Sequence, residues 1–152
     1  MAESSELTPL PESFAEIVDD FHALAQRQRL ELLLEFSREL PALPERFAQD
    51  HGAMEAVAEC QSPVFVAVEV GAGPDDPVQI YFDAPAEAPT TRGFAGILAN
   101  GLAGLTAQQV LDVPDDVPNR LGLTEAVSPL RLRGMAGMLA RIKRQIRSGL
   151  AS

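Results

Sequence analysis

Two stretches of alternating side chains, joined by a short turn, constrain this chain more than any other feature. Val64, Val66, Val68 and Val70 alternate with Phe65, Ala67 and Glu69; Val78, Ile80 and Phe82 alternate with Gln79, Tyr81 and Asp83. A period of two with β-branched residues is the pattern of a strand with one face buried. The link, Gly71-Ala72-Gly73-Pro74-Asp75-Asp76-Pro77, is turn chemistry. It is too short for a parallel crossover, which needs roughly a dozen residues or more. The two runs must therefore be antiparallel neighbours. Ala56-Val57-Ala58 reads as a short third strand leading into Cys60. So small a sheet is marginal alone and has to lean on helices.

Helices are expected on both sides of it. Phe14, Ile17, Val18, Phe21 and Leu24 share one helical face, with Pro11 in the first turn. Leu30, Leu33, Leu34 and Leu40 form the apolar side of a second helix, opposite Arg27, Arg29, Glu31, Glu35 and Arg38, and Pro41 stops it. The short link between the two favours an antiparallel pair. After the strands, Pro85 to Pro89 breaks the pattern, and Thr90 or Thr91 can cap a helix carrying Phe94, Ile97, Leu98 and Leu102. Its glycines Gly93, Gly96, Gly101 and Gly104 allow close helix–sheet packing. Thr106 to Gln109 is a capping box, and 115–121 is a short turn closed at Gly122. Ser128 caps the last helix with Pro129 in its first position. Leu132, Met135, Leu139, Ile142 and Ile146 make its buried stripe, and Arg141, Lys143, Arg144 and Arg147 suit its C-terminal end. Consecutive strands between blocks of helix indicate an α+β fold with an antiparallel meander. The length suits one domain over residues 1–152, with 1–10 frayed.

Charge and cysteine content exclude several functions. Lys and Arg number 12 against 22 Asp and Glu, a net charge of -10, which disfavours nucleic acid and anionic membranes as main partners. The imbalance is uneven: residues 1–76 carry 4 basic and 16 acidic groups, residues 77–152 carry 8 and 6. This layout is either a set of solvated helix faces or an electrostatic docking surface for a protein. The start of the chain lacks the basic-then-apolar order of a secretory signal, and no apolar run reaches the ~18 residues of a membrane span. The expectation is a cytoplasmic protein. A single cysteine, Cys60, rules out an internal disulfide and a multi-cysteine zinc site.

Cys60 is the candidate reactive group. It sits at a turn, between a short extended run and the valine-rich strand, where a side chain can swing towards a partner. The competing reading is a small buried hydrophobe. Glu59 beside it disfavours the thiolate, so activation needs a backbone N–H or a cation. The two histidines, His22 and His51, show no motif that supplies a base and an orienting carboxylate, which argues against a triad hydrolase. They also match no metal-ligand spacing, and no glycine-rich phosphate loop is present.

These residues carry a resemblance. Cys60-Gln61-Ser62-Pro63-Val64-Phe65 looks like the Cys-Gln-Ser-x-Val-Trp/Phe segment of the SufE family. Glu87 to Gly93 is similar to that family's acidic residue, linker and Lys/Arg-Gly start of its central helix. Ser128 to Met135, with Met138, resembles the Thr-Pro-Ser-Arg-x-x-Gly-Leu-x-x-Met start of its last helix. Phe36 to Pro41 resembles its Leu-Pro helix stop. The resemblance spans roughly residues 12–148 and is nearest to actinobacterial SufE-like proteins. It departs from the family at Glu59 (usually Gly), Ala126 (often His) and Arg133 (commonly Asn or Gln).

The resemblance implies a SufE/NifU-like two-layer fold, with the meander packed on N- and C-terminal helices. It also implies sulfur transfer for iron–sulfur cluster assembly, by a relay that stimulates a desulfurase and is not a stand-alone enzyme. Cys60 would accept persulfide sulfur from a SufS-like cysteine desulfurase and pass it to an iron–sulfur scaffold protein. Gln61 and Ser62 would hydrogen-bond the loop, Arg131 would be the cation near the thiol, and Glu87 would play a supporting part. No cofactor is expected in this chain; the pyridoxal phosphate belongs to the desulfurase. The alternative is a non-catalytic interaction module with a structural Cys60.

Overall fold

A computed structural model describes residues 9–151. Helices α1 (Glu12–His22), α2 (Gln26–Arg38) and α3 (Glu45–Gln49) precede strands β1 (Glu55–Ala56), β2 (Phe65–Glu69) and β3 (Gln79–Asp83). Helices α4 (Pro89–Gly101), α5 (Ala107–Leu111) and α6 (Pro129–Ala151) follow. Residues 1–8 of the segment expected to fray lie outside the described residues. Leu10, at its end, packs against the core.

The sheet is an antiparallel meander in the order β1-β2-β3. Val66 pairs with Phe82 and Val68 with Ile80, as the alternation requires. Glu55 and Ala56 pair with Val66 and Phe65, so the third strand starts one residue earlier than expected and stops before Val57. Val57 instead turns into the core. Val64, Val66, Val68, Val70, Ile80 and Phe82 face the main core, while Phe65, Ala67 and Tyr81 face a second cluster with Phe47 and Met54. The Gly71–Pro77 turn docks on the start of α5: Ala107 N–H donates to Asp76 O (3.0 Å) and Gln108 N–H to Pro74 O (2.9 Å).

Helix α6 lies against β2 and α4 against β3, and α1 and α2 both pack on α4. The α4 glycines serve that helix–helix contact rather than a helix–sheet one. A Cβ at Gly93 would stand 2.5 Å from the Leu33 carbonyl oxygen, one at Gly96 2.2 Å from that of Phe36, and one at Gly101 2.4 Å from the Phe14 ring. This approach rotates α2 relative to the expected face. Leu33, Phe36, Ser37 and Leu40 are buried, while Leu30 is exposed. Phe36 decides the rotation, because its ring stacks on Phe21 at 6.0 Å.

The caps follow the sequence in part. Thr106 and Gln109 form the expected capping box, and the Arg131 N–H donates to Ser128 Oγ at 3.3 Å. Gly122 closes the 3-10 turn Val117–Leu121 with φ 73°. Helix α4 begins earlier than expected, with Pro89 at its first position and Ala88 as the cap residue. Thr90 and Thr91 are already helical, since proline's fixed φ starts a helix without a side-chain cap. No helix among the described residues is long and apolar enough to cross a membrane.

Candidate functional site

Cys60 sits in the loop 57–64 that joins β1 to β2. Main-chain bonds close this loop: Val57 N–H donates to Val64 O (2.9 Å) and Cys60 N–H to Val57 O (3.1 Å). Among the described residues, neither the Gln61 nor the Ser62 side chain is hydrogen-bonded to the loop. The main chain holds the turn that those side chains were expected to brace.

The loop lies on the first turns of α6, where small residues leave room for it. The half-buried Cys60 thiol donates to the Gly134 carbonyl oxygen at 3.7 Å. A Cβ at Gly134 would come within 3.1 Å of Sγ, and one at Gly137 within 2.7 Å of Glu59 Cδ. Glycines three apart share a helix face, and the Glu59-Cys60 dipeptide rests on that face. Glu59, Cys60, Gln61 and Ser62 from the loop, Thr91 from α4, and Leu130, Arg131 and Gly134 from α6 surround a pocket of about 40 Å³. That volume takes a water or two.

The electrostatics keep the cysteine protonated. Burial pushes the Cys60 thiol up, to about 11, and the Glu59 carboxylate pushes in the same direction. The opposing cation is Arg141 and not the expected Arg131. Arg141 Nη1 pairs with Glu59 Oε1 at 2.6 Å, which holds the Glu59 carboxyl below the usual range. The same guanidinium donates to Ala56 O (3.1 Å) and Gly137 O (3.3 Å) and lies 3.5 Å from Glu55. Arg141 thus ties β1, the cysteine loop and α6 together.

Of the other expected site residues, Gln61, Ser62 and Arg131 line the pocket with Cys60. Arg131 is exposed on the first turn of α6. Glu125, the nearest carboxylate to it in sequence, accepts from Gln26 Nε2 at 2.7 Å. Glu87 is exposed in the turn before α4 and does not line the pocket. The following Arg92 is structural: Nε donates to Ser37 O at 2.9 Å and Nη1 to Ala84 O. Thr91, Gly134, Gly137 and Arg141 were missed as site residues. The Gly134–Gly137 spacing on an apolar helix was the one sequence signal for a close approach there.

The histidines lie elsewhere. His22 Nε2 meets Arg120 O at 2.7 Å. His51 does have a carboxylate partner, Asp83, at 2.5 Å, but it stacks on Phe65 on the sheet face turned away from the main core. Neither lines the Cys60 pocket. A larger cleft of about 250 Å³ lies between the Val117–Leu121 turn and α6, lined by Asp115, Pro118, Asn119, Thr124, Leu132 and Arg133 among others, and it does not include Cys60. No group of three or more metal-ligating side chains occurs among the described residues.

Comparison with known proteins places this arrangement in context. The family model described as SufE, Fe-S metabolism associated domain, matches residues 15–146. A SufE-like protein of Mycobacterium tuberculosis is 54% identical over 138 residues, 91% of this chain and 94% of its own length. SufE-like protein 1, chloroplastic/mitochondrial, of Arabidopsis thaliana is 27% identical over 137 residues, 90% of this chain but 35% of its own. The solution structure of a hypothetical protein from Thermus thermophilus superposes with a TM-score of 0.80 at 37% identity, covering 95% of this chain and 100% of that one.

Proposed function

The chain belongs to the SufE family of Fe–S metabolism, and on that footing we propose that Cys60 accepts a sulfur atom from the persulfide of a cysteine desulfurase. The observation that carries the reading is the placement of Cys60. It is the single thiol of the chain, in the loop between β1 and β2, half-buried in a pocket of about 40 Å³ that Gln61, Ser62 and Arg131 also line.

The step balances without an outside oxidant. The Cys60 thiolate attacks the terminal sulfur of the donor persulfide. The donor's sulfur–sulfur bond breaks, its electron pair leaves on the donor cysteine, and a new sulfur–sulfur bond forms at Cys60. The proton lost by Cys60 is balanced by the proton that the donor thiolate takes up. The sulfur then leaves for an iron–sulfur scaffold protein by the same exchange. This chain supplies no cofactor; the pyridoxal phosphate that releases sulfur from cysteine resides in the desulfurase.

The resting electrostatics suit a carrier. At pH 7 a thiol with a pKa of about 11 is ionised to roughly one part in ten thousand. Such a thiol is a poor target for stray oxidants and becomes a nucleophile once the loop leaves α6. The exposed Leu130 and Arg131 beside the pocket offer an apolar and a cationic contact to the docking protein.

A second reading has an observation of its own: Cys60 packs against the main core cluster, as a structural cysteine would. One experiment separates the two. The chain is mixed with a cysteine desulfurase and cysteine carrying radiolabelled sulfur, then run on a non-reducing gel. Label on wild type, released by reductant and absent from a normally folded Cys60→Ser variant, supports the acceptor. No label on wild type, with a Cys60→Ser variant that melts early, supports the structural reading.

A further inference from the structure

Arg141 draws together segments that the chain order separates widely. From α6 its guanidinium reaches Glu59 and Glu55 by charge, and Ala56 O and Gly137 O by hydrogen bonds. Of these, only Glu59 belongs to the cysteine loop proper. We propose that Glu59 and Arg141 are positioning residues, whose ion pair latches the Cys60 loop onto the last helix and sets how often the thiol is offered to a sulfur donor.

Three observations carry this. First, Glu59 has little other hold on the helix: its carboxylate lies over Gly137, where any side chain would collide with it. Second, the bond from the Cys60 sulfur to the helix is weak. It is a thiol to a carbonyl at 3.7 Å, and the neighbouring charge pair at 2.6 Å is a shorter, charge-assisted tie between loop and α6. Third, the two partners differ in setting. The Arg141 side chain is 18% exposed and anchored at several points, whereas that of Glu59 is 42% exposed. Glu59 is therefore the part that releases, and the loop moves with it while Arg141 stays on β1. The other charges in range are Glu55, which Arg144 also pairs, and Arg131 across the pocket.

Adjacency gives the pair a use. Glu59 precedes Cys60 directly, so lifting its carboxylate carries the thiol off Gly134 and removes the negative charge that opposes ionisation. A partner presenting its own cation to Glu59 would open the loop and activate the sulfur in one movement. The use in sulfur transfer rests on the reading of Cys60 above; the latch itself does not.

The test needs no sulfur donor. The rate of Cys60 alkylation by iodoacetamide and the hydrogen exchange of the Val57 and Cys60 amides are measured together in wild type, Glu59→Gln and Arg141→Lys. Loss of a pair of this exposure is expected to speed both readouts in Glu59→Gln by about fivefold, with Arg141→Lys between it and wild type. Raising the salt should speed exchange in wild type and leave Glu59→Gln unchanged. Faster alkylation with unchanged amide exchange would overturn the latch, because the pair would then act on the thiol through charge alone. Unchanged alkylation, or faster exchange spread equally over α2, would overturn it as well. Should Glu59→Gln fail to fold, the salt series on wild type decides alone: loop exchange that speeds with salt supports the latch, and loop exchange that ignores salt overturns it. Absence of sulfur on wild-type Cys60 would remove the proposed function and leave the latch result standing.

Discussion

The Cys60 sulfur rests against the carbonyl oxygen of Gly134 at 3.7 Å, at a place on α6 where any residue larger than glycine would press on it. A loop residue and a helix residue 74 positions apart thus determine each other. The thiol can be sheltered because residue 134 has no side chain, and residue 134 must stay bare because the thiol is there.

Gly134→Ala tests that dependence. The new Cβ would stand 3.1 Å from Sγ, tight enough to move the loop by a few tenths of an ångström. Replacing a helical glycine by alanine returns up to ~1 kcal/mol of helix stability, which offsets the cost of the contact. Global stability is expected within about 1 kcal/mol of wild type, with faster alkylation of Cys60. Slower alkylation would mean that the loop closes over the new methyl instead of yielding.

The thiol also predicts a pH profile. Burial and Glu59 push Cys60 up to about 11, so the rate of alkylation by a neutral reagent should keep rising past pH 9, where an ordinary thiol levels off. The sign for stability follows from the same shift. A pKa raised on folding contributes stability that is fully present below the unfolded thiol's pKa, near 9. That contribution is lost as the pH climbs towards 11, because the unfolded chain ionises first. An alkylation midpoint at or below 9 in the native protein would contradict the sheltered geometry.

Gly96 marks the contact with the least slack. A Cβ there would lie 2.2 Å from the Phe36 carbonyl oxygen, and backbone cannot swing aside as the cysteine loop can. Gly96→Ala is expected to destabilise the protein by about 3 kcal/mol, read as a shift in the denaturant midpoint. A neutral result would mean that α2 and α4 slide freely past one another.

Arg92 joins three segments through the carbonyls of Ser37 and Ala84. Arg92→Met keeps the stem and removes both donors, leaving two half-buried acceptors unpaired. A loss of about 2 kcal/mol is expected, with Cys60 alkylation unchanged. Altered alkylation at full stability would instead give Arg92 a part in the site.

How far the sequence could be read depended on whether a feature is local. Strand alternation, the Thr106–Gln109 box and the Ser128 cap are local, and each stands in the structure as the spacing implied. The stripe of α6, from Leu132 to Ile146, was equally plain because it is long and periodic. The face of α2 was not, since Leu30 and Phe36 compete for it and the choice is made by Phe21 and by two glycines on α4. The site divided in the same way. The motif around Cys60 was visible in the chain, and Gln61, Ser62 and Arg131 do line one pocket with it. Glu87 stands apart, because Pro89 starts the helix and carries Thr91 to the pocket in its place. Arg141 was hidden among four basic residues near the end of α6. Nothing local distinguishes the one that faces a carboxylate 82 positions earlier.

Whether Cys60 carries sulfur is read out by the mass of the peptide that holds it. Wild type and Cys60→Ser are each incubated with a cysteine desulfurase and cysteine, freed of the enzyme under non-reducing conditions, and digested for peptide mapping. The expected result is a gain of about 32 Da, one sulfur atom, on the Cys60 peptide, reversed by reductant and missing from the serine variant. A wild-type Cys60 peptide of unchanged mass, under conditions where the desulfurase is itself persulfidated, would contradict the role of sulfur acceptor.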